Sequence, residues 1–344
     1  MARNPLARYW YVVAESREAT SGRVLARRVL DEPLAVWRDA SGAMVVARDR
    51  CLHRCSKLSS GTLRDGALTC RYHGWVYGEG GQVTAMPSEG PGDLPRLKAR
   101  TYRSCEQDGY VYVCLAPDGE TPDKPFALPR PQGRWRHIRL QNAFANSVAN
   151  CAENYIDVPH TSFVHTGIFR KPAAQPIDID LTRKGLMVRI DYHGESLNLG
   201  HFAWLLNPSG GAIVHSDHFF APHVTSVHYR LPNGFAYYIT SQSIARGAMD
   251  TLVYTDISYD FGPWSQWFDW ITRPVVRHQA QAVIDQDISI LNEQGEVISR
   301  DGEKFYNTTA DSIHVEIHAV IAALAAGRPL SPADDFSKRL RIFV

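Results

Sequence analysis

Surplus charge, long apolar runs and repeated sequence are all scarce in this chain of 344 residues. Lys and Arg total 37 and Asp and Glu total 36, which leaves a formal net charge of +1. Nucleic acid and anionic membrane surfaces both select for a basic surplus, so neither is expected as a main partner. The alanine-rich stretch from Ala319 to Ala326 is far short of the roughly 20 apolar residues that cross a bilayer. Met1 to Tyr11 carry charges and aromatic rings rather than an apolar run before a cleavage site. No secretory leader is therefore expected, and a cytoplasmic location is. No G-x-G-x-x-G follows a predicted strand, which argues against a nicotinamide site in this chain. There is no internal repeat or low-complexity tract. At 44% hydrophobic and 21% charged residues, the composition is that of a folded protein, not a disordered one.

What is present is histidine, 14 of them, and six scattered cysteines: Cys51, Cys55, Cys70, Cys105, Cys114 and Cys151. In a reducing compartment such cysteines are metal ligands or core residues rather than disulfides. The length suggests two domains. Val24–Leu30, Leu34–Arg38, Ala43–Arg48 and Gly109–Leu115 read as strands separated by turns, so residues 1–116 are predicted to be all-β. Residues 117–133 hold prolines 117, 122, 125, 129 and 131 and read as a linker. Residues 134–344 mix strands with helices. Met187–Tyr192, Thr225–Arg230, Phe235–Ser241 and Thr251–Tyr259 suit one antiparallel sheet. Pro263 is predicted to open a long helix to about Leu291, and Asp311–Ala326 a shorter one stopped by Gly327. The fold class is α+β.

Two constellations carry chemistry. Cys51-Leu-His53 is followed downstream by Cys70-Arg-Tyr-His73. Two cysteines and two histidines are a common tetrahedral zinc set, but zinc modules usually open with two cysteines two to four residues apart. Here each segment supplies one thiolate and one imidazole. That division suits a [2Fe–2S] centre with both cysteines on one iron and both histidines on the other.

The second constellation is Asp157, His160 and His165. Asp157 and His160 are three apart and share a face of a helical turn. His160 and His165 are five apart, and Pro159 interrupts the segment. Both imidazoles therefore meet one metal only if the segment is irregular. On the predicted long helix, Val276, Ala280, Val283, Ile284 and Leu291 surround Asp287 on the wheel. A carboxylate on an apolar stripe is costly unless paired or metal-bound, while Asp285 points the opposite way. His160, His165 and Asp287 would make the two-histidine, one-carboxylate triad of a non-haem Fe(II) site with positions open for O2.

The stretches Cys51-Leu-His-Arg-Cys-Ser-Lys-Leu-Ser-Ser-Gly61 and Cys70-Arg-Tyr-His-Gly-Trp75 resemble the two cluster-binding loops of Rieske domains. With Asp157, His160, His165 and Asp287-Ile-Ser-Ile-Leu-Asn-Glu293 following in the family's order, most of the chain resembles the oxygenase component of a Rieske non-haem iron oxygenase. Leu52 and Arg71 stand where many relatives have proline, and Gln286 replaces a frequent acidic neighbour. Cys55 is expected to be a small buried residue.

The resemblance implies an N-terminal Rieske domain and a catalytic domain in which an antiparallel sheet is flanked by helices, a helix-grip, START-like arrangement. It implies a [2Fe–2S] cluster, a mononuclear Fe(II), and electrons drawn from NAD(P)H through a separate reductase or ferredoxin. It implies a head-to-tail homotrimer in which Asp157 links His73 of one subunit to His160 of the next, with Asn154 near the iron. The modest length is similar to the α₃ subgroup of aromatic demethylases and monooxygenases. The expected activity is hydroxylation or demethylation of a small organic substrate, aromatic ones included; ring cis-dihydroxylation is the alternative within the class. A Rieske electron carrier or a zinc-stabilised binding protein is the alternative outside it. Phe202, Trp204, His215 and Tyr238 are candidate substrate contacts, and Trp264, Trp267 and Trp270 suit helix packing or a subunit interface. The histidines outside the two constellations are expected to need no special role.

Overall fold

Strand after strand alternates buried and open positions, as a sheet with one covered face requires. Ile177, Ile179 and Leu181 are buried along one strand, and Val188, Ile190 and Tyr192 along the next. The computed structural model describes residues 4–343 except 21, 91–93, 118, 120, 121, 132, 166–174 and 196–210. The chain divides into two compact units, Met1–Ala127 and Leu128–Val344. Among the described residues, no helix is long and apolar enough to cross a membrane.

The first unit is built on a six-stranded antiparallel sheet. Its strands are β1 (Trp10–Glu15), β2 (Leu25–Val29), β3 (Glu32–Arg38), β4 (Met44–Arg48), β9 (Thr101–Gln107) and β10 (Tyr110–Cys114), in the order β1-β10-β9-β4-β3-β2. A second sheet inserted between β4 and β9 runs in sequence order through β5 (Thr62–Arg64), β6 (Ala67–Thr69), β7 (Val76–Tyr77) and β8 (Val83–Ala85). Two of its connections matter most. The loop entering β5 carries Cys51 and His53, and the loop from β6 to β7 carries Cys70 and His73. Leu58, Leu63, Leu68, Tyr77 and Met86 pack with both cysteines in one buried cluster, which holds the loops side by side.

The second unit is an eight-stranded antiparallel sheet. Its strands are β11 (Arg136–Phe144), β12 (Pro176–Lys184), β13 (Met187–His193), β14 (Val214–Phe220), β15 (Val224–Arg230), β16 (Ala236–Gly247), β17 (Asp250–Asp260) and β18 (Phe336–Phe343). They lie in the order β11-β17-β16-β15-β14-β13-β12-β18. The segment predicted as one helix from Pro263 to about Leu291 is two helices, Pro263–Trp267 and Asp269–Asp301. Phe268 leaves helical geometry at φ −114°, ψ 36°, and its carbonyl then accepts from Ile271 and Thr272 to restart the ladder. Trp267 and Trp270 are exposed, so helix packing does not account for them. The second helix runs on past Leu291 to Asp301, with Gly295 its buried position beyond Leu291. Ile284 and Leu291 are buried against Ile138, Leu140, Phe144, Val253 and Tyr259 of the sheet.

One contact sets how that helix lies against the chain. Gly295 approaches Ala145 so closely that an added Cβ would sit 1.9 Å from its carbonyl oxygen. Asn292 Oδ1 accepts from the Ala145 amide at 2.7 Å, and Asn146 Nδ2 donates to the Leu291 carbonyl at 2.7 Å. The next residue, Ser147, caps the helix Val148–Asn154 by accepting from the Asn150 amide at 3.3 Å. The segment leading to His160 and His165 is thus anchored to the helix that carries Asp287.

Candidate metal centres

The two N-terminal loops share a backbone scheme. Cys51 N donates to Ser56 O and Cys55 N to Cys51 O, at 2.8 and 3.1 Å; Cys70 N donates to Trp75 O and Gly74 N to Cys70 O, at 2.8 and 3.0 Å. The fourth residue after each cysteine turns left-handed, Cys55 at φ 58° and Gly74 at φ 72°. Glycine adopts that conformation freely; a residue with a Cβ is uncommon there. The expectation that Cys55 is buried is overturned. The left-handed turn directs its side chain outward, where Arg50 Nε donates to its Sγ at 3.1 Å.

Cys51 and Cys70 are buried, whereas His53 is half-buried and His73 exposed. The two imidazoles meet edge to face with centroids 4.4 Å apart, and His53 stacks on Trp75 at 5.1 Å. The Tyr77 hydroxyl donates to Cys51 Sγ at 3.2 Å and accepts from the Leu52 amide at 2.9 Å. Burial pushes the Cys51 thiol up, the Tyr77 hydrogen bond opposes this, and the Cys70 sulfur beside it adds to the rise. Desolvation, then His73 and Arg54, hold His53 below its ordinary range and leave it neutral.

His53 Nδ1 is buried and has no hydrogen-bond partner among the described residues, as a nitrogen reserved for a metal would be. A single tetrahedral zinc would draw all four ligand atoms to within about 4 Å of each other. Among the described residues, the groups gathered within 4.8 Å are two others, and these four side chains are not one of them. The donor set fits a binuclear cluster better than one ion.

In the second unit, His160 leads into a single helical turn, Thr161–Val164, and His165 closes it at φ −103°, ψ 38°. That irregularity brings together two rings that a continuous helix would splay. The centroids of His160 and His165 are 5.3 Å apart. Asp287 Oδ1 lies 3.5 Å from His160 Nε2 and 3.2 Å from His165 Nε2. Ligand bonds of about 2.1 Å at right angles give polyhedron edges of about 3 Å, so the spacing suits one ion.

Each ring is oriented from behind. His160 Nδ1 faces Asp157 Oδ2 at 3.2 Å, and His165 Nδ1 faces Gln286 Oε1 at 2.8 Å. An acceptor at Nδ1 makes that nitrogen the donor and frees the Nε2 lone pair for a metal. Asn154 Nδ2 donates to Asp287 Oδ1 at 3.4 Å. His165 and Asp287 are buried. Burial alone would lower the His160 pKa, but Asp157 and Asp287 outweigh it and raise it to about 9. Burial pushes Asp287 up, and the two histidines more than reverse that. The three ligand atoms lie within 4.8 Å of one another.

Gln286 was noted in the sequence only as a departure from an acidic neighbour, yet it is the partner of His165. Tyr77 gave no signal at all, because its link to Cys51 spans two loops. The candidate substrate contacts fare differently. Phe202 and Trp204 lie outside the described residues. His215 is buried with both ring nitrogens taken, by Glu195 Oε2 at 2.6 Å and Asp217 Oδ1 at 2.9 Å, and is stacked between Tyr192 and Tyr229. It has no nitrogen left for a ligand. Tyr238 pairs with His228, while His215 pairs with Tyr229 and Tyr229 with Tyr237. Successive side chains alternate faces, so Tyr238 and His215 are on opposite sides of the sheet. The two cannot line one pocket.

Comparison with known proteins agrees with this arrangement. The Rieske [2Fe-2S] domain family matches residues 9–103, and the vanillate O-demethylase oxygenase C-terminal domain family matches residues 145–327. The chain is 32% identical over 165 residues to the oxygenase component of dicamba O-demethylase from Stenotrophomonas maltophilia, covering 45% of this chain and 46% of that one. It is 34% identical over 164 residues to the oxygenase subunit of 3-chlorobenzoate-3,4-dioxygenase from Comamonas testosteroni, covering 46% and 38%. It spans about a quarter to a half of the length of the curated relatives it matches. The crystal structure of dicamba monooxygenase bound to dicamba superposes with a TM-score of 0.78 at 20% identity, over 93% of this chain and 98% of that one, a likeness of fold. The matched domains come in the order of the two ligand sets, and together they establish that this chain belongs to the Rieske oxygenase family, with a [2Fe–2S] domain followed by a mononuclear-iron domain.

Proposed function

We propose that the chain is the terminal oxygenase of a Rieske system and monooxygenates a small organic substrate, by hydroxylation or demethylation. The observation that carries the reading is the approach of His160 Nε2 and His165 Nε2 to Asp287 Oδ1, at 3.5 and 3.2 Å, in a chain that also bears a Rieske domain. Cys51, His53, Cys70 and His73 would hold the cluster, and His160, His165 and Asp287 the iron. When bound, the two groups supply electron storage and O2 activation. The protein's part is to orient and to exclude water. Asp157 and Gln286 fix the tautomer of each histidine, Asn154 steadies the Asp287 carboxylate, and burial of His165 and Asp287 keeps that side of the site dry.

Electrons would come from NAD(P)H through a separate reductase or ferredoxin. His73 is exposed, with the exposed ring of Tyr72 beside it, a surface suited to electron exchange. In the α₃ arrangement proposed, Asp157 also receives the cluster edge of a neighbouring subunit. The domain limits proposed are 1–116 and 134–344, with 117–133 as linker.

Metal analysis and O2 uptake test this. The expected result is three irons per chain and substrate-dependent O2 consumption with NADH and a surrogate reductase across methoxy- and N-methyl-substituted aromatics. Formaldehyde should form with demethylation. Two irons without O2 uptake would mean an electron carrier, and zinc in place of iron at Cys51 and Cys70 a binding protein. A cis-diol carrying both oxygens of ¹⁸O₂ would make it a dioxygenase, as the 3-chlorobenzoate relative is named. Asp157→Asn should keep three irons yet lose about 10- to 100-fold in turnover; undiminished turnover would remove the bridging role.

A further inference from the structure

A second cluster with two histidines and one carboxylate lies outside the iron site. His314 and His318 are four apart on the helix Ser312–Ala325 and so share one face. Their ring centroids are 4.0 Å apart, tilted by 35°. Glu153, from the helix Val148–Asn154, reaches across to place Oε2 2.6 Å from His314 Nδ1. One ligand atom from each of the three lies within 4.8 Å of the others. His314 is 7% exposed, while Glu153 and His318 are half-buried, which leaves a way in for an ion.

Two further observations point to a cation. His318 Nε2 is buried with no hydrogen-bond partner among the described residues, a costly arrangement for a polar atom unless something fills it. Glu303 and Asp311 add negative charge around the pair, and Asn150 Nδ2 holds the Glu303 carboxylate at 3.2 Å. Phe305 closes one side, its ring edge-on to His314 at 4.8 Å and to His318 at 6.1 Å.

We propose that Glu153, His314 and His318 form a second metal site, taking a divalent ion of the zinc type and clamping the helix Val148–Asn154 to the helix Ser312–Ala325. Two imidazoles and a carboxylate are a zinc ligand set that leaves a fourth position for water. The ion takes the place of the proton now shared by Glu153 and His314, which requires only a small separation of those two groups. It also braces the helix that ends in Asn154, the neighbour of Asp287.

The test uses the iron-loaded protein equilibrated with zinc chloride, desalted and assayed for both metals. About one zinc per chain should be gained with iron unchanged, and Tm should rise by several degrees. His318→Ala and Glu153→Gln should weaken zinc binding at least tenfold with iron unchanged, whereas Asp287→Ala should lose only the mononuclear iron and keep this zinc. The proposal fails if the wild-type protein gains no zinc, if zinc enters only as iron leaves, or if His318→Ala binds zinc as the wild type does. The zinc count in His318→Ala stands whether or not the mononuclear iron is loaded.

Discussion

Gly295→Ala is expected to disable the iron site from a position that touches none of its ligands. The new Cβ would stand 1.9 Å from the Ala145 carbonyl oxygen, where ordinary contact begins near 3.4 Å. The helix Asp269–Asp301 must therefore lift from Ala145 by about 1.5 Å. Overpacking of this kind costs about 1–3 kcal/mol. The lift also breaks the bonds of Asn292 Oδ1 to the Ala145 amide and of Asn146 Nδ2 to the Leu291 carbonyl, about 1 kcal/mol each. The sum, about 3–5 kcal/mol, should lower the Tm of a unit of this size by roughly 10 °C. Asp287 lies about two helical turns from Gly295, so it moves away from His160 and His165. A misplacement of about 1 Å costs about a hundredfold in rate. Differential scanning calorimetry, iron content and turnover read these effects separately. The Rieske visible spectrum should stay intact, because the cluster ligands belong to the other unit. A Tm within about 2 °C of wild type together with full iron content would refute the reasoning.

Three other substitutions probe the two centres. Asp287→Ala should reduce the iron count from three to two per chain with the cluster spectrum unchanged; a bleached spectrum instead would show that Asp287 serves the wrong centre. Gln286→Leu removes the acceptor 2.8 Å from His165 Nδ1, and iron affinity measured by chelator competition should fall about 10- to 100-fold. Unchanged affinity would mean that Gln286 does not orient the ring. Tyr77→Phe deletes the hydroxyl that donates to Cys51 Sγ at 3.2 Å. Because a hydrogen bond to sulfur favours the more negative reduced cluster, the midpoint potential should drop by about 40 mV, a few-fold change on a one-electron scale. A rise, or no shift in protein-film voltammetry, would contradict that role.

The sequence by itself determined the ligand types, their order and the local punctuation. The Cys-x-His and Cys-x-x-His segments, Pro159 between the paired histidines and the apolar stripe around Asp287 are local features, and each is legible because its physics acts within a few residues. In the second unit's sheet, four strands, β11, β12, β14 and β18, do not stand out in the sequence. Two of them, β14 and β18, carry polar residues at positions where neighbouring strands or ion pairs such as Asp178 with Arg341 compensate. The commitment of His215 to Glu195, 20 residues away, also depends on a contact between distant residues. So do two of the bonds that orient the candidate ligands: Gln286 to His165 and Tyr77 to Cys51 join residues far apart in the chain, whereas Asp157 and His160 are neighbours in it. Spacing along the chain names candidate ligands, but a metal site also needs lone pairs aimed at one point. That aim is set by side chains which only the folded sheet and its helix bring within hydrogen-bond reach.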